Sequence, residues 1–344
     1  MNAPSAAGLS ASILDHLKPL EDAVAELANT WRPDDPEYRA DVYRQIVMQF
    51  SYGYFAFFHA DAAHPDWAPL WNPVYTLQPN PDDIYLYCPI SDRYRYRISG
   101  NRGSVYMITF NTQAALPGLP GPVDHTGQCY ADLDDSDLQL DDAGNFEILV
   151  SAEKPDGFTG NWLQIKTGAL ALMTRYRSYD WVNETDPAMS IECLDPVPPK
   201  PRLTPEQIVT RIHQMAEMPA AATRLFYGMQ NQVKANVGVN VFEPSRYGGA
   251  LSRQIYIPAV YDFEPDEALI VETELPEIRR YWNFQLNDPY FNAVEYVYRL
   301  SSTNGHFAKI SSDGKFRAVI SLEDPGVPNW LDPAGFRQGT VYGR

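Results

Sequence analysis

The chain carries two copies of one segment. The first copy covers residues 144–163 and the second covers residues 314–331, and nine positions match in order once a two-residue gap is allowed. Both copies end in Asn-Trp-Leu, beginning at Asn161 and at Asn329. The 344-residue chain holds only 7 tryptophans, so two such triplets behind the same upstream pattern are not expected by chance. We therefore predict a tandem duplication of one β-rich module.

The surrounding sequence extends this pattern to both halves of the chain. In each half, a helical apolar pattern precedes short β-branched and aromatic runs that are separated by Gly- and Pro-containing turns. Such strands, without alternating helices, are typical of antiparallel sandwiches and jelly rolls. The predicted fold is mainly β with helical segments: two tandem antiparallel β-sandwich or jelly-roll-like domains, a helical N-terminus and a helical inter-domain segment. The predicted divisions are a helical N-terminal region at 1–72, a first sandwich at 73–195, a linker with helices at 196–245 and a second sandwich at 246–344.

Three finer predictions concern local structure. Pro219 is expected to end the helix that starts near residue 204, because proline lacks the amide hydrogen that continues a helix. Residues 296–300 are predicted to form a strand. Trp162 and Trp330 are expected to be mostly buried anchors of their modules, and the asparagine of each triplet is expected to tie a loop.

The composition excludes several classes of partner. No run of about 18 apolar residues is present, so a transmembrane helix is not expected, and the N-terminus lacks a secretory signal pattern. The net charge of −17 disfavours nucleic acid and anionic membranes. Three cysteines without a Cys-x-x-Cys pair favour reduced thiols and a cytoplasmic location. The expected partner is a small-molecule substrate or ligand, and the sequence leaves homo-oligomer formation open.

Short motifs give the chain a resemblance to two bacterial families. The run Asn80-Pro-Asp-Asp-Ile-Tyr85 is similar to the Asn-Pro-Asp-x-x-Tyr signature of domain-of-unknown-function family 1254. The resemblance to this family covers residues 70–195 and includes Asp180-Trp181. Residues 245–344, with Tyr281-Trp282 and the second Asn-Trp-Leu, resemble family 1214. The resemblance implies two β-sandwich domains with an adjoining helical part, and it implies no particular activity.

The acidic pair in the first motif is the main candidate for acid–base chemistry. Adjacent like charges, when partly buried, raise the pKa of one of them toward neutrality. We assign Asp83 and Tyr85 to catalysis and Asp82 to substrate binding. In the competing interpretation, Asn-Pro-Asp-Asp is a turn whose side chains bond to its own backbone.

Further candidates lie in a long loop and ahead of the second sandwich. His125 has an ordinary pKa that suits proton transfer, and we assign it to catalysis together with Tyr247. The other side chains could face an inter-domain cleft, where Arg would bind a carboxylate or phosphate and Tyr would donate a hydrogen bond. The predicted binding residues of this group are Arg246, Arg253, Tyr261 and Trp282.

No cofactor and no metal are expected. Residues 59–66 place histidines and aspartates at metal-compatible spacing, but Pro65 breaks the helix that would align them. The acidic run at 132–142 fails the register of a calcium-binding loop. The sequence contains no Gly-rich phosphate loop, serine elbow or cysteine–histidine signature.

These features favour a cofactor-independent enzyme. It would be of lyase, hydratase, isomerase or hydrolase type and would act by acid–base chemistry on a small hydrophobic or aromatic metabolite in an inter-domain cleft. The alternative is a non-catalytic β-sandwich protein that binds carbohydrate or another small ligand, and a purely structural protein is a third reading. A deep pocket with an ionisable pair would favour the enzyme, whereas exposed aromatic rings on a shallow face would favour the binding protein.

Overall fold

The computed structural model of the protein describes residues 12–28, 34–116, 128–245, 253–277 and 279–344. It confirms the predicted fold class: a mainly β protein whose sheets form two β bodies, with N-terminal helices and a long helix between the bodies. The α-helices are α1 (Pro19–Ala28), α2 (Pro36–Phe57) and α3 (Pro205–Val237). The strands before α3 are β1 (Ala68–Leu70), β2 (Asp83–Pro89), β3 (Tyr96–Asn101), β4 (Met107–Gln113), β5 (Cys129–Asp134), β6 (Asn145–Ser151), β7 (Asn161–Gln164), β8 (Ala171–Arg177) and β9 (Ala188–Cys193). The strands after α3 are β10 (Ile257–Asp262), β11 (Leu269–Glu274), β12 (Asn283–Asn287), β13 (Ser302–Asn304), β14 (Lys315–Ile320), β15 (Trp330–Leu331) and β16 (Gln338–Gly343).

The first β body is a sandwich of two sheets. A five-stranded sheet in the order β1-β2-β8-β4-β5 packs on a four-stranded sheet in the order β7-β6-β3-β9. Side chains alternate between the two faces of each strand, so every second residue points between the sheets. Ile98, Ile108, Ile148 and Leu172 come from both sheets and are fully buried in this common core.

The second β body repeats the strand order of the first. Its sheet β10-β16-β12-β13 corresponds to β2-β8-β4-β5, and its sheet β11-β14-β15 corresponds to β3-β6-β7. Asn111 and Asn287 take the same place in β4 and β12. Asn111 pairs with Met173 on β8, and Asn287 pairs with Thr340 on β16. Four residues after each partner the chain has an arginine, Arg177 in the first body and Arg344 in the second. The duplication therefore makes Arg177 and Arg344 equivalent residues.

The two copies of the repeated segment have the same local topology. In each copy the short strand of the Asn-Trp-Leu triplet pairs in parallel with the strand before it, β7 with β6 and β15 with β14. Asn161 accepts a hydrogen bond from the Gln139 amide and donates to the carbonyls of Gln139 and Glu147. Asn329 makes the same three bonds, to Lys309 and Arg317. Both asparagines thus tie a loop to a strand, as the repeat predicts.

The tryptophans of the triplets are less buried than predicted. Trp162 and Trp330 are only half-buried, whereas the leucines that follow them are fully buried. Because adjacent residues of a strand point to opposite faces, a leucine in the core directs the neighbouring tryptophan away from it. Each indole N–H instead donates to a serine at or just after the end of the preceding strand, to Ser151 Oγ at 2.9 Å and to the Ser321 carbonyl at 3.1 Å.

The helices pack against one another and against both β bodies. Helix α3 begins at a capping box formed by Thr204 and Gln207 and continues through Pro219, so the prediction that Pro219 ends the helix is wrong. Pro219 costs one helical hydrogen bond, but both α1 and α2 pack along α3, and such tertiary packing supplies most of a helix's stability in proteins. One apolar cluster joins α3, through Phe226, to Met173 of the first body and Tyr342 of the second.

One predicted strand is absent. Residues 296–299 form a turn, in which the amides of Tyr298 and Arg299 both donate to the Glu295 carbonyl. These local bonds occupy the backbone groups that a strand would need. Within the described ranges, no helix is long and apolar enough to cross a membrane.

Candidate functional site

Asp83, the first residue of β2, is fully buried in an ion pair. Arg177, opposite it on β8, donates from Nε at 2.5 Å and from Nη2 at 2.7 Å to the two carboxylate oxygens. The Tyr85 hydroxyl donates to the same carboxylate at 3.2 Å. Burial would raise the pKa of Asp83, but the Arg177 charge outweighs burial and holds the pKa below its usual range. Asp83 is therefore an ionised anchor at neutral pH and Tyr85 is its buried partner, which does not suit the catalytic roles predicted for them.

Asp82, the preceding residue, has a different environment. In the described part of the chain it is held by three neutral donors and by no cation: Trp181 Nε1 and Asn304 Nδ2 donate to Oδ1 at 2.8 Å each, and the Tyr281 hydroxyl donates to Oδ2 at 2.5 Å. Only 5% of Asp82 is exposed, and this burial raises the pKa of Asp82 to about 6. Asp82, predicted as a binding residue, is thus a carboxyl group that can exchange a proton near neutral pH.

Asn80 builds the turn that separates the two aspartates. Its side-chain oxygen accepts from the Asp82 amide at 3.2 Å, and its carbonyl accepts from the Asp83 amide at 3.0 Å. The same side chain donates to the Tyr281 hydroxyl at 2.9 Å and accepts from Asn283 Nδ2 at 2.7 Å. The motif is therefore a turn and, at the same time, part of a hydrogen-bond network that joins the two β bodies.

Asp82 lies in the wall of a cleft of about 410 Å³ between the two bodies, which we call the aromatic cleft. Trp181 from the first body and Phe307 from the second meet edge to face, with ring centroids 6.0 Å apart. Each of the two residues is 43% exposed. Other residues of the wall are Leu300, Val327, Trp330, Arg299 and Lys309. The cleft thus combines an apolar, partly open wall with one buried carboxyl group.

A second cavity, of about 580 Å³, also lies between the bodies, and we call it the seam cavity. It contains Arg253 and Trp282, two of the predicted binding residues, and it contains Tyr281, whose hydroxyl bonds to Asp82. The structure therefore divides the predicted inter-domain site between two cavities that share Tyr281 as a neighbour.

Four predicted site residues remain, and the structure describes one of them, Tyr261. His125, Arg246 and Tyr247 lie outside the described residues. Tyr261 is buried in the core of the second body, where its hydroxyl donates to the Phe336 carbonyl at 3.3 Å, and it lines neither cavity. Its burial against backbone fits a structural role better than the predicted binding role.

A raised pKa alone does not mark a site. Burial also raises the pKa of Asp288 to about 6. Asp288, however, accepts hydrogen bonds from Tyr290 and Asn292 within its own turn and lines neither cavity. What distinguishes Asp82 is its position in a cleft large enough for a small molecule.

Of the two histidines near residue 60, His64 is hydrogen-bonded to neighbouring oxygens and His59 lies close to an aspartate. His64 Nε2 lies 2.8 Å from the Pro198 carbonyl, and Nδ1 lies 3.0 Å from Asp61 Oδ1. These two hydrogen bonds raise the pKa of His64. His59 Nε2 lies 3.2 Å from Asp66. Over the described ranges, no group of three or more His, Cys, Asp or Glu side chains is placed to hold a metal ion.

The sequence analysis did not select three residues that hold Asp82. Trp181 and Tyr281 were noticed only as parts of family-like motifs, and those motifs were the available signal. Asn304 gave no signal, because its approach to Asp82 depends on the packing of strands more than 200 residues apart.

Comparison with family models matches part of the first β body. Residues 121–180 match the family described as "Protein of unknown function (DUF1214)". The resemblance to family 1214 thus falls in the first body and not at 245–344, and no match to family 1254 was found. Because residues 314–331 repeat residues 144–163, the second body carries a copy of the motif that the family model matches in the first. No curated protein matches the chain.

The solved structures that match the protein include the following two. An uncharacterized protein from Burkholderia cenocepacia is 26% identical with a TM-score of 0.85, over 96% of this chain and 91% of that chain. The VPA0106 protein from Vibrio parahaemolyticus is 11% identical with a TM-score of 0.49, over 95% of this chain and 94% of that chain. The Burkholderia structure supports the fold across almost the whole chain.

Proposed function

We propose that the protein is an acid–base enzyme that acts on a small aromatic or hydrophobic metabolite in the aromatic cleft, with Asp82 as the group that exchanges the proton. Lyase, hydratase, isomerase and hydrolase chemistry are all compatible with one such carboxyl group. The observation that carries the proposal is the burial of Asp82 in the wall of this cleft, where three neutral donors hold its carboxyl group.

The hydrogen bonds of Asp82 suit proton transfer. A catalytic acid or base works best when its pKa is close to the working pH, and burial brings the pKa of Asp82 to about 6. Oδ1 accepts two hydrogen bonds and Oδ2 accepts one, so Oδ2 keeps acceptor capacity for a substrate proton. Donors from both β bodies fix the carboxyl orientation before a substrate arrives, which lowers the cost of reaching the reactive geometry.

The walls of the cleft define the substrate class. Trp181 has two functions, since its indole N–H orients Asp82 while its ring forms the aromatic wall with Phe307. Flat apolar rings of this kind favour an aromatic or other apolar substrate body through area burial and edge-to-face contact. A volume of about 410 Å³ is within the range of small-metabolite sites.

The test uses the variant Asp82→Asn. Its side chain has nearly the same volume and can still accept hydrogen bonds from Trp181 and Asn304. Wild-type protein and variant are purified from the same host and denatured, and the released small molecules are compared by mass spectrometry. We expect the variant to retain a metabolite that the wild type converts. With that metabolite as substrate, Asp82→Asn should lower kcat by about 100-fold or more.

The matched control is Asp288→Asn, because Asp288 has a similarly raised pKa but lies in neither cavity. This control should turn over at the wild-type rate. The wild-type kcat/KM should also change with an apparent pKa near 6, which Asp82→Asn should remove. Wild-type turnover by Asp82→Asn would overturn the proposal.

The openness of the cleft favours a second candidate, a non-catalytic carbohydrate-binding protein. Trp181 and Phe307 are each 43% exposed, and exposed rings can stack on sugars. Under this alternative, Phe307→Ala should abolish binding to an oligosaccharide panel, Asp82→Asn should keep it, and no ligand should be chemically changed. Conversion of any cleft ligand by the wild type would exclude it.

A further inference from the structure

We infer that the seam cavity is a second ligand site, which binds an organic carboxylate with an apolar body and in which Arg344 holds the carboxylate. The inference does not depend on the chemistry proposed for Asp82, which lies in the wall of the aromatic cleft. It rests on the unequal pairing of two equivalent arginines, on the charge of the cavity and on its apolar wall.

Arg177 and Arg344 are equivalent by duplication, but of the two only Arg177 makes a direct ion pair with a described residue. Asp83 neutralises Arg177 through two hydrogen bonds. The described hydrogen bonds of Arg344 all go to neutral oxygens, to Gln285 Oε1 at 2.5 Å, Gln78 Oε1 at 2.8 Å and the Gln78 carbonyl at 3.4 Å. Arg344 is 9% exposed, and the Asp83 charge acts on it without a hydrogen bond or ion pair between the two residues. A buried charge that lacks a directly bonded opposite charge is costly. An anionic ligand in the cavity would place a negative charge beside Arg344, as Asp83 does beside Arg177.

The other buried charges of the lining, Arg177 and Asp134, are paired. Five arginines and three acidic residues line it. Arg280 pairs with Asp134 and Asp135, and Arg253 pairs with Asp137 at 3.0 Å. These pairs lie at the exposed side of the lining, since Arg253 and Arg280 have 62% and 45% of their side chains exposed. The buried positive charge that remains is that of Arg344.

Arg344 also keeps donors for a ligand. A guanidinium group has five N–H donors in a planar fork that matches the two oxygens of a carboxylate. Nη1 gives one hydrogen bond, to Gln285, and Nη2 gives two, to Gln78, so the N–H of Nε and one N–H of Nη1 remain for a ligand. The glutamines therefore hold the fork in place in the way that supporting residues hold a binding side chain.

The rest of the cavity favours an apolar ligand body. Ile255, Ile257, Leu275, Trp282 and Phe284 contribute apolar wall, and the volume of about 580 Å³ exceeds the needs of a simple inorganic anion. A site for phosphate alone would be small and polar. The combination of one oriented buried cation with a roomy apolar wall indicates an aromatic or medium-chain carboxylic acid.

The experiment is isothermal titration calorimetry on the full chain with benzoate and octanoate as probes. Benzamide and octanamide serve as neutral matches, and inorganic phosphate serves as the simple anion. We expect at least one carboxylate to bind to the wild type at least about 10-fold more tightly than its amide, the effect of one charge-assisted hydrogen bond. Val327→Glu, which changes an exposed residue that lines the aromatic cleft and not the seam cavity, should bind the same probe with unchanged affinity and so separates the two sites.

Two variants locate the binding. Arg344→Gln should weaken the carboxylate about 10-fold or more without affecting the amide. Leu275→Glu, in the half-buried wall, should repel the probe while leaving the buried arginines intact, and it decides the question if Arg344→Gln does not fold. Arg97→Gln removes a surface arginine that pairs with Glu192 and should leave binding unchanged. Equal binding of carboxylate and amide, equal binding of phosphate and carboxylate, or unchanged carboxylate binding in the folded cavity variants would overturn the inference.

Discussion

Asp82 and Asp83 show how two adjacent carboxyl groups acquire opposite properties from their contacts. Asp83 faces Arg177 and is ionised, whereas Asp82 faces neutral donors and has a pKa of about 6. In the unfolded chain both should have pKa values near 3.8. The folded protein therefore binds the Asp82 proton more tightly than the unfolded chain does, and stability falls as the pH rises from about 4 to about 6.

Asp82→Asn should remove this pH-dependent loss. Relative to the wild type, the variant should gain up to about 3 kcal/mol of unfolding free energy between pH 4 and pH 8, since each pKa unit corresponds to about 1.4 kcal/mol. Urea unfolding at both pH values measures the difference. Asp288→Asn should show a gain of the same sign, because its pKa is raised in the same way. A pH-independent difference between Asp82→Asn and the wild type would contradict the assignment.

Asp83→Asn should behave in the opposite way. It would leave the Arg177 guanidinium buried without a counter-ion, and breaking a buried pair in this manner costs about 3–5 kcal/mol. The loss should be present at pH 7 and should shrink at low pH, where wild-type Asp83 itself becomes protonated. Urea unfolding at pH 7 should therefore rank Asp83→Asn well below Asp82→Asn, and equal stability of the two variants would contradict the ion-pair role.

At the scale of the elements, the packing of α2 on α3 depends on one glycine. A Cβ atom at Gly53 would lie 3.0 Å from Met215 Cγ and 3.3 Å from Met215 Cα. A Cβ at Gly228, also inside a helix, would meet nothing within 4 Å. The two positions have similar local structure and differ in the space around them.

Substituting alanine at both glycines separates helix propensity from packing. Gly228→Ala should raise the unfolding free energy by about 1 kcal/mol, because alanine is the better helix former. Gly53→Ala should instead lower the unfolding free energy by about 1–3 kcal/mol, because the new Cβ atom would crowd Met215. Chemical denaturation of both variants provides the comparison, and a stabilised Gly53→Ala would show that α2 and α3 can separate at no cost.

Helices and strands were predictable where a local sequence pattern determines them. The predictions were wrong where tertiary contacts determine the structure. The repeated segment revealed β6, β7, β14 and β15, because a duplicated pattern needs no knowledge of the remaining fold. Pro219 misled the prediction because packing against α1 and α2 compensates the missing hydrogen bond. The apolar run at 296–300 gave a strand pattern, but its backbone groups bond within a turn.

At the scale of the whole molecule, the candidate site follows from the joining of two β bodies. The Asn-Pro-Asp-Asp motif identified one side of the site from sequence. The other side, Tyr281 and Asn304, lies about 200 residues away and is placed by the pairing of β12 and β13. The sequence does not indicate which of the two adjacent aspartates pairs with a cation. Arg177 reaches Asp83 only because β2 pairs with β8.

The same interface predicts that the two bodies unfold together. The apolar cluster around Phe226 takes residues from α2, α3 and both bodies, and Phe226 stacks on Phe291 with ring centroids 5.3 Å apart. The Asp82 network adds hydrogen bonds between the bodies. Separating the bodies would expose this cluster and leave buried polar groups without partners, so neither body should persist after the other unfolds.

Calorimetry of the wild type should therefore give one transition whose calorimetric and van't Hoff enthalpies agree. Phe226→Ala should cost about 3–5 kcal/mol through the cavity that it leaves and should move the whole transition to lower temperature without splitting it. Phe307→Ala, at a half-exposed position of the aromatic cleft, should shift the same transition far less because it leaves a smaller cavity. Two resolved transitions in the wild type, or a Phe226→Ala trace in which only one of two transitions moves, would show that the β bodies are thermodynamically independent.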